Sequence, residues 1–113
     1  MEQAIRSANE AYEAGDFEKA AQQLEEILDA NPEKQILHFY LGIAHLETDD
    51  FPAAVESFKA AQDSVYLEEA NWYLALAYLK QQQPELAKDI LSGFANNPQS
   101  RYYEKAKDLV SKL

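Results

Sequence analysis

The chain has 113 residues, 47% hydrophobic and 27% charged, with 3 Gly, 4 Pro, no Cys and a formal net charge of −10. A domain of this size buries roughly two thirds of its unfolded surface, so a core can form without metal or disulfide staples. The acidic balance argues against nucleic acid and other polyanions as partners, and the missing cysteine removes disulfides, thiolate catalysis and cysteine zinc sites.

Ala, Leu, Glu, Gln and Lys dominate between short turn signals, which predicts helix almost throughout. The first helix is expected over 2–14, stopped by Gly15-Asp16, and the second over 17–30, stopped by Asn31-Pro32. A third, over 33–48, runs into Asp49-Asp50-Phe51-Pro52, where Asp50 is placed to cap and Pro52 to open a fourth helix over 52–64. A fifth, over 67–82, ends at Gln83-Pro84, and a sixth, over 84–95, ends at Asn96-Asn97-Pro98. The seventh is expected over 99–112, with Tyr102, Tyr103, Ala106, Leu109, Val110 and Leu113 on one stripe. No useful length alternates with period two, so the fold class is all-α. The longest unbroken apolar run, Trp72 to Leu79, is far below the roughly 20 residues that span a bilayer. No basic patch leads into an apolar stretch near Met1, so neither direct membrane insertion nor a signal peptide is expected.

The chain is similar to itself. Phe39-Tyr40-Leu41-Gly42-Ile43-Ala44-His45-Leu46 aligns with Trp72-Tyr73-Leu74-Ala75-Leu76-Ala77-Tyr78-Leu79, thirty-three residues on. Ala54 and Phe58 match Ala87 and Leu91 at the same shift. Thirty-four residues back, Ala8, Tyr12, Gly15-Asp16-Phe17, Ala20 and Leu24 match Gly42, Leu46, Asp49-Asp50-Phe51, Ala54 and Phe58. Three copies of a helix–turn–helix unit in register resemble the tetratricopeptide repeat family over about residues 2–98. The resemblance implies a right-handed superhelical array of antiparallel helix pairs, about seven helices in one domain. Repeat one would be 1–34, repeat two 35–67, repeat three 68–98, and 99–113 a capping helix. Small residues (Ala8, Gly42, Ala75; Ala20, Ala54, Ala87) would let paired helices approach, and Leu24, Phe58 and Leu91 would fill the gaps. The pattern is broken by Val65-Tyr66 in place of the terminal Pro of the second copy. It is broken again by Gln82 at the turn Gly of the third and by Pro84 near its turn aromatic.

No catalytic constellation, cofactor site or metal site is read. His38 and His45, seven apart with no HExxH spacing, fit packing better than metal. The three glycines are scattered, and paired carboxylates such as Glu25-Glu26 suit solvation or capping. The resemblance implies a non-enzymatic interaction module whose first helices line a concave groove. Its candidates are Ile5, Asn9 and Tyr12; Phe39, Ile43 and Leu46; Trp72, Leu76 and Leu79, with Phe39, Trp72, Leu76 and Leu79 as anchors, the alternative being that the aromatics thicken the core of a short array. A branch of the family grips a C-terminal carboxylate with Lys, Arg and Asn. Only Asn9 matches that set, and Glu69 has the wrong sign, so this function is not expected here. Residues 1–56 hold thirteen acids and three bases, while 57–113 are balanced. The expected partner is therefore a protein or peptide that is apolar with some basic residues. Self-association into a homodimer is the alternative. The resemblance extends to repeat domains at the soluble end of longer bacterial proteins, some with a single membrane span.

Overall fold

The computed structural model describes residues 2–113. Seven α-helices follow in order: α1 (Glu2–Glu13), α2 (Phe17–Ala30), α3 (Gln35–Glu47), α4 (Phe51–Ala60), α5 (Leu67–Lys80), α6 (Pro84–Ala95) and α7 (Tyr103–Ser111). A turn of 3₁₀ helix, Ala61–Asp63, extends α4. Each helix packs on the next in the chain, giving an elongated solenoid of 44 × 25 × 22 Å. Among the described residues there is no strand, and no helix is long and apolar enough to cross a membrane.

The three turns inside the pairs are one device used three times. Gly15, Asp49 and Gln82 all take positive φ, at 81°, 63° and 61°. After each, a backbone N–H reaches back to the helix it leaves: Asp16 to Ala11, Asp50 to His45, and Gln83 to Tyr78, at 2.8–2.9 Å. This is the Schellman closure, which satisfies carbonyls that the helix end leaves open. Glycine enters the left-handed region without strain, whereas Gln82 does so at a steric penalty. Asp16 and Asp50 then start the second helices, their carboxylates accepting the N–H groups of Lys19 and Ala53 at 3.3 Å. Gln83 makes no such side-chain cap, and Pro84 opens α6 in its place.

Close approach of the helices is set by the small residues. Ala20, Ala54, Ala75 and Ala87 are fully buried and Ala8 nearly so, as the spacing predicts. At Gly42 a Cβ would lie 2.6 Å from the Phe58 ring, so glycine is required there by contact, not by turn geometry. Phe58 and Leu91 are the largest fully buried side chains, each contributing about 1.5–3 kcal/mol by burial.

The seventh helix begins later than the sequence suggests. Asn97 accepts the Gln99 N–H and Ser100 Oγ accepts the Tyr102 N–H, both at 3.1 Å, and these local bonds hold the preceding stretch in turns. Ser100 Oγ also donates to Glu68 at 2.9 Å, while Arg101 spans Glu68 and Glu69 at 3.6 Å each. Ala106 is fully buried in the main core, and Tyr102, Leu109 and Val110 pack against it. Leu113 departs from its expected place on the buried stripe, being 43% exposed.

Candidate functional site

The first helices of successive pairs leave two clefts between them. The cleft between α1 and α3, ≈ 350 Å³, is lined by Ile5, Ala8, Asn9, Tyr12, Glu13, Leu24, Leu37 and Tyr40. The cleft between α3 and α5, ≈ 390 Å³, is lined by Leu46, Glu47, Asp49, Phe51, Leu76, Leu79 and Lys80. The two linings share part of one register. Position for position, Tyr12, Leu46 and Leu79 share one place in the repeat, and Glu13, Glu47 and Lys80 share the next. Stepping by three or four residues keeps such a set on one helix face.

Of the residues expected on this face, Asn9 is exposed, while Ile5, Tyr12, Ile43, Leu46, Leu76 and Leu79 are half-buried. Asn9 and Tyr12 meet in the first cleft, and Leu46, Leu76 and Leu79 in the second. Ile43 packs against the main core and lines neither. The two aromatic anchors lie elsewhere: Phe39 and Trp72 are only 9% and 8% exposed, within the core. Tyr66 lies over Phe39, ring centroids 4.8 Å apart, and Tyr102 stacks on Trp72 at 4.6 Å with an interplanar angle of 7°. Both tyrosines follow the same local turn, in which the tyrosine N–H donates to the hydroxyl of a serine two residues earlier. Ser64-Val65-Tyr66 and Ser100-Arg101-Tyr102 are therefore equivalent covers, visible in the sequence only as a repeated Ser-x-Tyr.

Tyrosine hydroxyls and acids give the face its polarity. Tyr40 and Tyr66 share a hydroxyl–hydroxyl hydrogen bond of 3.2 Å, which, with burial and the neighbouring Tyr66 and Tyr12, pushes the Tyr40 phenol up to about 12. Tyr12 meets Tyr40 edge-on at 5.7 Å. Its hydroxyl is also held above the usual phenol range, first by burial and then by Tyr73 and Glu47. Sequence reasoning missed Tyr40, Phe51, Glu13, Glu47 and Lys80 as lining residues, although the repeat alignment pairs Tyr40 with Tyr73, Phe51 with Phe17, and Glu13 with Glu47 and Lys80.

A larger opening than either is on another side of the helix pairs. A cleft of ≈ 480 Å³ lies between α1 and α2, and its counterpart sixty-seven residues on, ≈ 330 Å³, between α5 and α6. Short side chains, Ala4 in the first and Gly93 in the second, leave that room. In the first, Gln23 donates to Ser7 Oγ at 2.7 Å. A third hollow, along α2 and α3, is acidic, with Glu18, Glu25, Glu26, Asp29 and His45. His45, expected as packing, lies between carboxylates: Nε2 is 3.6 Å from Glu25 and Nδ1 4.0 Å from Asp50. His38 is held below the usual histidine range by burial. Among the described residues no group of three or more His, Cys, Asp or Glu side chains is arranged to hold a metal ion.

Two models of the tetratricopeptide repeat match the sequence, one over residues 5–65 and one over residues 69–100. The comparison with curated proteins gives no match.

Proposed function

The chain belongs to the tetratricopeptide repeat family, whose members generally mediate protein–protein interaction or scaffolding and are typically non-enzymatic, and from that premise we propose that it binds a protein segment across the two clefts between α1, α3 and α5. The observation that carries this reading is the row of half-buried apolar side chains, Leu46, Leu76 and Leu79, lining an open cleft beside Phe51. Water in contact with that surface is released when an apolar side chain enters, at about 25 cal/mol per Å² removed from water. We take 1–34, 35–67 and 68–98 as the working repeats, with 99–113 closing the array. The segment is apolar with basic residues, in keeping with the net of −10 on residues 1–56.

The test separates contact from core. Leu46→Glu with Leu76→Glu places charge on half-buried positions that also pack against the main core, so the melting temperature is expected to fall, and circular dichroism must show the variant folded at the temperature of the capture experiment. Cross-linking in the native source should then lose the partner that the parent captures. Retained capture by the folded double variant sinks the groove. Light scattering over a concentration series decides whether the captured segment belongs to a second copy of the chain, the homodimer alternative.

A further inference from the structure

Resting on that groove reading, we infer that the edge of the groove reads charge in a fixed order, so that its ligand carries two bases and then an acid, each beside an apolar side chain, and lies in one direction only. Glu13, Glu47 and Lys80 occupy the same place in α1, α3 and α5, spaced thirty-four and thirty-three residues apart. Glu13 lines the first cleft, and Glu47, Asp49 and Lys80 line the second, next to its apolar wall; Asp49, in the turn, has uncharged Gly15 and Gln82 as its counterparts in the other repeats. Glu13, Glu47 and Lys80 are exposed, and among the described residues none of them forms an ion pair. Glu13 thus presents unneutralised charge at the first cleft, while at the second Glu47 stands on the α3 wall and Lys80 on the α5 wall. Glu47 adds, after burial and Tyr73, to what holds the Tyr12 hydroxyl above the usual phenol range.

The occupant follows from this complementarity. A ligand base at each carboxylate and a ligand acid at Lys80 gain attraction at all three places in one orientation; in the other, both ends meet like charge and only the middle base still faces a carboxylate. Successive first helices stand about one helix diameter apart, roughly 10 Å. A helical ligand covers that distance in about seven residues at roughly 1.5 Å each. The chemistry is therefore an amphipathic segment with Lys or Arg, Lys or Arg, and Asp or Glu at successive seven-residue steps.

Two synthetic helical peptides provide the probe. One carries leucines with Lys, Lys and Glu at that spacing, and its twin carries Glu, Glu and Lys at the same positions. By fluorescence anisotropy at low salt the first is expected to bind about tenfold more tightly, with the difference shrinking as salt rises. The triple variant Glu13→Lys, Glu47→Lys, Lys80→Glu, whose substitutions all fall on exposed positions, should invert the preference. Circular dichroism checks that it stays folded. Equal binding of the twins, no inversion, or binding of neither peptide overturns the charge order. If the twins bind alike but Leu76→Glu weakens both, the groove reading stands and the charge order alone falls. If the twins differ and invert as expected while Leu76→Glu changes nothing, the charge order stands and the apolar cleft falls.

Discussion

Two glycines inside helices answer to different physics. At Gly42 a single added carbon would meet three Phe58 ring atoms at 2.6–2.9 Å, and Phe58 has no exposed side from which to retreat. At Gly93, in α6, nothing lies within 4 Å of the same added atom. Gly42→Ala is therefore expected to destabilise by about 1–3 kcal/mol through overpacking. Gly93→Ala should stabilise by about 0.5–1 kcal/mol, because alanine restricts the unfolded backbone and nothing opposes it in the fold. Urea melts of the two variants should move in opposite directions, and a shared direction contradicts the contact argument. The sequence, aligned in repeats, identifies Gly42 as a packing position because Ala8 and Ala75 share its register. It has no comparable sign for Gly93, whose freedom depends on what fails to reach it.

Helices are joined here by aromatic covers as much as by turns. Tyr66 closes over Phe39 and bonds to Tyr40, tying the connection before α5 back to α3. Tyr102 does the same for α7 and α5 through Trp72, with Phe94 edge-on to both rings at 5.4–6.0 Å. Tyr40, bonded to the first cover, carries a pH dependence. A phenol raised from 10.0 to about 12 adds stability that is fully present below pH 10 and is lost as pH rises through about 12, because the unfolded chain gives up its proton first. The melting temperature should therefore fall across that window, and in Tyr40→Phe it should fall less, since the group that ionises is gone. An equal fall in both proteins places the alkaline transition elsewhere. This level also marks the limit of what the sequence carries. Helix bounds and the small-residue register are local or periodic, and they are legible. For Phe39 and Trp72 the sequence leaves groove and core both open, because each cover arrives from a connection twenty-seven or thirty residues downstream, where turn geometry decides which way the ring folds. The same tertiary contacts leave Leu46, Leu76 and Leu79, and not those aromatics, lining the cleft between α3 and α5.

For the whole molecule, stability in a stacked array is approximately a sum of unit terms and neighbour interfaces, so the two ends need not be equally firm. The main core gathers residues from α3 to α7, with four of the largest rings, Phe39, Phe58, Trp72 and Tyr78, while the second core, toward α1 and α2, holds no buried aromatic. The charge adds to that difference. Thirteen acids against three bases repel one another over residues 1–56, whereas the remainder is balanced. Exposed charges interact over a Debye length of about 10 Å at 0.1 M salt and about 3 Å at 1 M. Salt should therefore relieve the N-terminal repeats and leave the C-terminal ones nearly unchanged, after allowance for the general effect of the salt used. Hydrogen exchange at low and high sodium chloride reads this directly: protection of α1 and α2 amides should rise by several-fold, with little change in α5 and α6. A uniform rise along the chain would assign the effect to strengthened apolar burial, which the larger C-terminal core would show first. A rise confined to α1 and α2 would make the acidic half a region held in tension by its own charge. A basic ligand would then firm the same helices that it binds, because neutralising Glu13 and Glu47 removes part of the repulsion that loosens them.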